Sequence, residues 1–224
     1  MKSITLSLIR HGETYFNLFH EFQGWADTPL TPAGTVQIHQ MAQRLQPLPV
    51  TAAYASDVTR ARQTANILWH DAAWPITTIH FRPALREHFY GCFEGQKMAP
   101  VWASIARAHG CQTYEDLVSH YGVDQAQDWL SAADPSHLAE TSQAFWTRFL
   151  AGLTTIMAEQ PDQAQVLLVS HSSVIRSLVA RYAPSQLDPI TPENGKLTQL
   201  TLSQTMTGNL EIQIKCYNQA TLAD

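Results

Sequence analysis

The sequence predicts a three-layer α/β sandwich, a mostly parallel sheet with helices on both faces and a hairpin at one edge. Three observations carry this expectation. Apolar strands repeatedly end in polar residues and give way to amphipathic helices, the alternation from which parallel sheets are built. One of those strands, Val166-Leu167-Leu168-Val169, is apolar throughout, as a strand covered on both faces must be. Near the C-terminus, by contrast, Leu210, Ile212 and Ile214 alternate with Glu211, Gln213 and Lys215, which suits a strand with one wet face toward a sheet edge.

The elements follow in chain order. Ile4, Leu6 and Leu8 alternate with Thr5 and Ser7 in a first strand that delivers Arg10-His11, and Gly12 permits a sharp exit. Thr14 reads as the cap of a short helix containing Tyr15, Phe16, Leu18 and Phe19, whose free N–H groups would lie beside Arg10 and His11 and suit an anion. Thr31 caps and Pro32 opens a second helix with Ile38, Met41, Ala42 and Leu45 on one face, and Pro47 and Pro49 stop it. Ala52 to Ala55 form a short buried strand ending at Ser56-Asp57. The next helix sets Val58, Ala61, Ala65 and Leu68 along a core stripe, with Arg60 off that stripe in the first turn.

A third strand is expected from Ile76 to Ile79. Residues from about 96 to 136 are the least patterned and read as a helical insertion capping the site, with short helices around Val101 to Ala108, Tyr114 to His120 and Gln125 to Leu130. A long helix bearing Phe145, Phe149, Leu153 and Ile156 leads to Val166-Val169 and then to Ser170-His171. Val174, Ile175, Leu178, Val179 and Tyr182 make the following helix amphipathic, with Arg176 expected on its surface. Leu200 and Leu202 mark the first arm of the closing hairpin, and Thr207-Gly208-Asn209 its turn.

At 224 residues the chain suits one domain, 1–224, plus that insertion. A net charge of −5 without a polybasic run gives no electrostatic footing for nucleic acid or a membrane surface. Only a few residues precede the first strand, so neither a signal peptide nor a membrane span is expected, and a cytoplasmic location is. Cys92, Cys111 and Cys216 are odd in number and widely spaced, which predicts reduced thiols. The histidines show no metal-ligand spacing and there is no Walker-type glycine loop with its lysine, so neither a metal nor another cofactor is expected. A homodimer is allowed, though no stripe of residues marks an interface.

Three strand ends present Arg10-His11, Ser56-Asp57 with Arg60, and Ser170-His171, and in a parallel sheet they would converge at the carboxyl edge, where such folds bind ligands. Two guanidiniums, a second imidazole, Asn17 and helix N-terminal amides would surround a phosphoryl group, so a small phosphorylated molecule is the expected partner. Neutral imidazole is a nucleophile, and cations beside His11 disfavour its protonated form. One ring nitrogen must keep its proton against an acceptor, which the sequence does not identify.

Arg10-His11-Gly12-Glu13-Thr14, Asn17, Gln23-Gly24-Trp25, Asp27-Thr28-Pro29-Leu30-Thr31 and Gly34 resemble the opening of the histidine phosphatase superfamily, shared by cofactor-dependent phosphoglycerate mutases and many small phosphatases. Ser56-Asp57, Arg60-Ala61 and Gln63-Thr64-Ala65 resemble its second signature. Leu85-Arg86-Glu87-His88-Phe89-Tyr90-Gly91, with Phe93-Glu94-Gly95, looks like the segment that carries the acidic proton donor. The resemblance implies a phosphoglycerate mutase-like fold and a metal-independent phosphoric monoester hydrolase of the histidine acid phosphatase type. In that scheme His11 becomes a phosphohistidine, while Arg10, Arg60 and His171 hold the equatorial oxygens. Glu87 protonates the leaving alcohol and then draws a proton from water, with Glu94 as the second choice of acid. Asn17, Gln23, Gly24 and Ser172 would complete the phosphate-binding set.

The chain departs from the pattern in places. Ser172-Ser173 follow the second histidine where glycines are common, and His88 follows Glu87 where the mutase branch has an arginine. No lysine or arginine falls between Arg107 and Arg148, which favours a phosphatase over a phosphoglycerate mutase, and His11, Arg10, Arg60, Glu87 and His171 together argue against a catalytically silent phospho-ligand-binding protein, which needs the arginines but not the acid. Glu115, Asp116, Asp124, Asp128, Asp134 and Glu140 lie in the same span. If the first four of these acids cap the pocket, their field would disfavour polyanions.

Overall fold

A computed structural model describes residues 2–187, 192–205 and 207–220. β1 (Ser3–Arg10), β2 (Ala52–Ala55), β3 (Ile79–Phe81) and β4 (Gln165–Ser170) pair in parallel, and β5 (Leu197–Gln204) and β6 (Leu210–Gln219) add an antiparallel hairpin beyond β1. The strand order is β3-β2-β4-β1-β5-β6. Eight α-helices lie among the described residues: α1 (Tyr15–Leu18), α2 (Pro32–Leu45), α3 (Thr59–Ala72), α4 (Met98–Ala108), α5 (Tyr114–Tyr121), α6 (Val123–Ala133), α7 (Ser142–Glu159) and α8 (Ser172–Tyr182). Among those residues, no helix is long and apolar enough to cross a membrane.

The pleat divides each parallel strand between two cores. Ile4, Leu6, Leu8, Tyr54, Val166 and Leu168 face α7 and α8, where they meet Phe145, Phe149, Leu153, Ile175 and Leu178. Ile9, Ala53, Ala55, Leu167 and Val169 face α2 and α3, against Ile38, Met41, Leu45, Ala61 and Leu68. Each large aliphatic side chain so buried contributes about 1.5–3 kcal/mol, enough to fix the register that brings the strand ends level. Thr31 accepts the Gly34 N–H at 2.9 Å with Pro32 in the first turn of α2, as its sequence predicts.

Two expectations are corrected. The third strand is Ile79–Phe81, not Ile76 to Ile79, because β2 is only four residues long and its pairing with β3 begins at Ala53 and Ile79. Ile76 is apolar for another reason: outside the strand it packs into the core on the α2/α3 side. Arg176 is not on the surface but buried at 3% exposure, since α8 is enclosed by the sheet on one side and by the 96–136 segment on the other. That segment forms α4, α5 and α6 close to the expected positions, around a third apolar cluster of Ile105, Leu117, Val118, Ala126 and Leu130. Phe22 and Tyr90 belong to the same cluster, so these helices are joined to the loops that carry the candidate site.

Candidate active site

β1 ends in Arg10, and His11 follows with its backbone N–H on Ser170 C=O at 3.0 Å, so pairing with β4 fixes where the imidazole starts. Its Nδ1 lies 2.8 Å from Gly12 C=O. A carbonyl can only accept, so Nδ1 carries the proton and Nε2 keeps its lone pair. The acceptor that the sequence leaves open is therefore the backbone of the next residue. Burial, then Arg60 and Arg10, hold His11 well below the usual imidazole range, which keeps it neutral near neutral pH.

Arg60 is fully buried, and its donors are taken up by the groups around His11. Its Nε–H reaches His11 Nε2 at 3.2 Å, Nη1–H donates to Asp27 Oδ1 at 3.1 Å, and Nη2–H donates to Gly24 C=O at 2.7 Å and His171 Nδ1 at 3.2 Å. Guanidinium cannot accept, so His171 Nδ1 is the acceptor and its Nε2–H donates to Ser56 Oγ at 2.7 Å. The two imidazole centroids stand 5.3 Å apart. Burial and the adjacent Arg60 hold His171 well below its ordinary range as well. Arg10 donates through Nη1 to Pro192 C=O, while its buried Nε has no partner. Burial lowers its pKa to about 10, still far on the charged side at neutral pH.

Glu87 is 4% exposed, with Oε1 accepting the His88 N–H at 3.0 Å and Oε2 the Ser173 N–H at 2.9 Å. Burial raises its pKa, opposed by those two amides and by Arg60 and Arg10. Its backbone is clamped from outside. Trp25 Nε1–H donates to Glu87 C=O at 3.0 Å, and Arg148 donates to Ala84, Arg86 and Glu87 carbonyls.

Arg10, His11, Asn17, Gln23, Glu87, Ser172 and Ser173 share one cavity of about 560 Å³. Arg60 and His171 stand behind His11 as its hydrogen-bonded and ring-packed neighbours. Gln23 lines the cavity, but its side-chain amide is engaged, accepting from Thr14 Oγ1 at 2.5 Å and donating to Thr28 Oγ1 at 3.0 Å. Gly24 does not line it. Its N–H goes to Glu94, its C=O takes Arg60, and a Cβ there would stand 2.0 Å from His88 C=O. Two of the expected amide donors of α1 are engaged: the Asn17 N–H goes to Thr14 Oγ1 in a capping box and the Phe16 N–H to Thr28 Oγ1.

The acids of the 96–136 segment and its flank do not form a field over the cavity. Asp116 caps α5, Asp124 accepts from Trp146 Nε1, Asp128 accepts from Ser142, Asp134 ties the 136–139 turn and Glu140 pairs with Arg148. Of the six, only Glu115 lines the cavity, so the expected repulsion of polyanions by a four-acid cap is withdrawn. Glu94 is no alternative acid, because it accepts the backbone N–H groups of Gly24, Trp25, Ala26 and Tyr90.

Two cavity neighbours escape the sequence reading. Asn194 Nδ2 donates to His11 C=O at 2.8 Å and to Asn17 Oδ1 at 3.3 Å, and only the pairing of β5 with β1 brings it there. Arg176 lines the cavity one helical turn after Ser172 and Ser173. That i+3 and i+4 spacing was readable, since it puts all three on one helix face.

The family model described as histidine phosphatase superfamily (branch 1) matches residues 6–215. The adenosylcobalamin/alpha-ribazole phosphatase of Salmonella typhimurium is 31% identical over 176 residues, covering 79% of this chain and 78% of its own. A 2,3-bisphosphoglycerate-dependent phosphoglycerate mutase of Gloeobacter violaceus is 25% identical over 193 residues, covering 84% and 77%. The crystal structure of a phosphoglycerate mutase from Bacillus anthracis superposes with a TM-score of 0.87 at 28% identity, over 98% of this chain and 94% of that one.

Proposed function

This chain belongs to the histidine phosphatase superfamily (branch 1), and on that premise we propose that it is a phosphomonoesterase that hydrolyses a small phosphorylated metabolite through a phosphohistidine at His11. The observation that carries the reading is the pairing, in one cavity, of a neutral imidazole whose Nε2 lone pair is free of its own proton with a buried carboxyl that burial keeps protonated to higher pH.

The steps follow from those states. His11 Nε2 attacks phosphorus, the P–O bond to the leaving alcohol breaks, and Glu87 gives its proton to the departing oxygen. The equatorial oxygens take the Arg10 Nε–H, which has no other partner, while Arg60, held by Asp27, Gly24 C=O and His171, sets its guanidinium charge beside His11 and offsets the charge that builds on those oxygens. Glu87, now ionised, takes a proton from the water that attacks phosphohistidine. Phosphate leaves, and both groups return to their starting states.

Hydrolysis is favoured over mutase chemistry by the cavity wall. A mutase must rebind a doubly phosphorylated intermediate and exclude water, whereas the 96–136 segment lines this cavity with Met98, Ala99, Trp102 and Tyr114 and adds no lysine or arginine of its own, which leaves Arg176 on α8 as the one lysine or arginine of the lining besides Arg10. A silent binding protein would need the arginines but not a buried acid beside them. His11→Ala is the test. It should abolish turnover of phenyl phosphate without unfolding the chain, and wild type quenched during turnover should carry an acid-labile, base-stable phosphoryl group. Turnover surviving in His11→Ala removes the proposal.

A further inference from the structure

Phosphoryl transfer as described gives no task to Arg176. Its side chain is nearly fully buried, its Nε has no hydrogen-bond partner, and among the described residues no carboxylate pairs with it. Its one defined neighbour is the Tyr114 ring, 4.9 Å from the guanidinium carbon. A guanidinium withdrawn from water without an anion is costly, and this one lies on the wall of the cavity that holds His11 and Glu87. Glu115 lines the same cavity, and no ion pair joins it to Arg176 among the described residues.

The distance between Arg176 and the reacting centre is spanned by rings. Tyr90 Oη lies 2.8 Å from Ser173 Oγ, beside the amide that holds Glu87. From there Tyr90 meets Phe22 at 4.9 Å, Phe22 meets Trp102 at 5.8 Å, and Trp102 meets Tyr114 at 4.4 Å between centroids. Along α8, Arg176 is three to four residues beyond Ser172 and Ser173, about 4.5–6 Å of helix axis. Four rings in mutual contact, Tyr90, Phe22, Trp102 and Tyr114, therefore line the cavity between Ser173, beside Glu87, and the buried cation.

We propose that Arg176 anchors a second anion subsite, and that the substrate is a phosphomonoester whose leaving group is a flat apolar body bearing an acidic group, carboxylate or second phosphoryl, at its far end. This rests on the phosphomonoesterase reading and specifies its leaving group. The body stacks along the rings, its acidic group takes the guanidinium, and the ester oxygen that becomes the alcohol sits against Glu87. A single hydrogen-bonded charge pair in such a site is worth a factor of about 10 to 150 in affinity.

Phosphonates test the subsite without turnover. Titration calorimetry would compare benzylphosphonate with 4-carboxybenzylphosphonate and with p-xylylenediphosphonate, on wild type, Arg176→Gln and Arg176→Lys. One or both acid-bearing ligands should bind wild type about 10- to 150-fold more tightly than benzylphosphonate, and which of them gains identifies the acid. Arg176→Gln should bring that ratio close to one, and Arg176→Lys should restore part of it. A wild-type ratio near one for both ligands overturns the proposal, and needs no variant to fold. So does a ratio that Arg176→Gln leaves unchanged. Turnover of phenyl phosphate is read separately: discrimination without hydrolysis would sink the phosphomonoesterase reading and leave the subsite standing, and hydrolysis without discrimination would do the reverse.

Discussion

Replacing Glu87 by Gln is the sharpest probe of the division of labour in the site. The carboxyl accepts one backbone N–H on each oxygen, from His88 and from Ser173, which leaves a protonated form free to aim its O–H at a leaving group. Glutamine can accept on one side only, so its NH₂ must face one of those amides, at a cost of about 1–3 kcal/mol in stability for the displaced donor. The kinetic loss is larger. General acid catalysis contributes about 10²- to 10⁴-fold, or about 2.7–5.5 kcal/mol of barrier, when the departing alkoxide is poor. Glu87→Gln should therefore lose that factor in kcat/KM on alkyl phosphates and little on 4-nitrophenyl phosphate, whose phenolate leaves unaided. The pH profile should change with it. Burial raises the Glu87 pKa, so the reactive acid is present below the folded-state pKa and is lost as pH rises through it. That falling limb should be seen with wild type on alkyl esters and vanish in Glu87→Gln. Equal losses on both classes of ester, or a limb that persists in the variant, would make Glu87 a positioning group and refute the assignment.

Two further outcomes follow from groups around the site. Glu94→Ala removes the acceptor of four backbone N–H groups, including Gly24, whose carbonyl holds Arg60; it should cost about 3 kcal/mol in urea unfolding and lower kcat, and a change below about 0.5 kcal/mol would contradict it. His88 is buried against Phe145, and burial lowers its pKa from 6.5 to about 3. The unfolded chain thus takes its proton first, and the stability that neutral His88 contributes above pH 6.5 is lost as pH falls toward 3, by up to about 1.4 kcal/mol per unit. Comparing urea unfolding at pH 7 and 5, His88→Asn should narrow the difference by about 2 kcal/mol; an unchanged difference would show that His88 does not titrate with unfolding.

The sequence by itself determined the frame and the strand-end residues that form the candidate site. Strand ends are legible because a buried strand must be apolar until it leaves the core, so Arg10-His11, Ser56 and Ser170-His171 stand out against the runs that precede them. Parallel pairing then has little freedom in where it puts those ends, and His11, Arg60 and His171 do meet. What the tertiary structure alone decided are the partners of each polar group. His11 keeps its proton on Gly12 C=O, Asn194 arrives from a loop nearly the whole chain away, and Asp116, Asp124 and Asp128 turn to caps and indole N–H groups instead of the cavity. Arg176 shows the physical reason. A one-dimensional pattern reports how apolar one face of α8 is against the sheet, and it cannot report that a second layer, α5 with Tyr114, covers the opposite face; burial of a charge is set by what packs from outside its own element, and so is the ligand that charge requires.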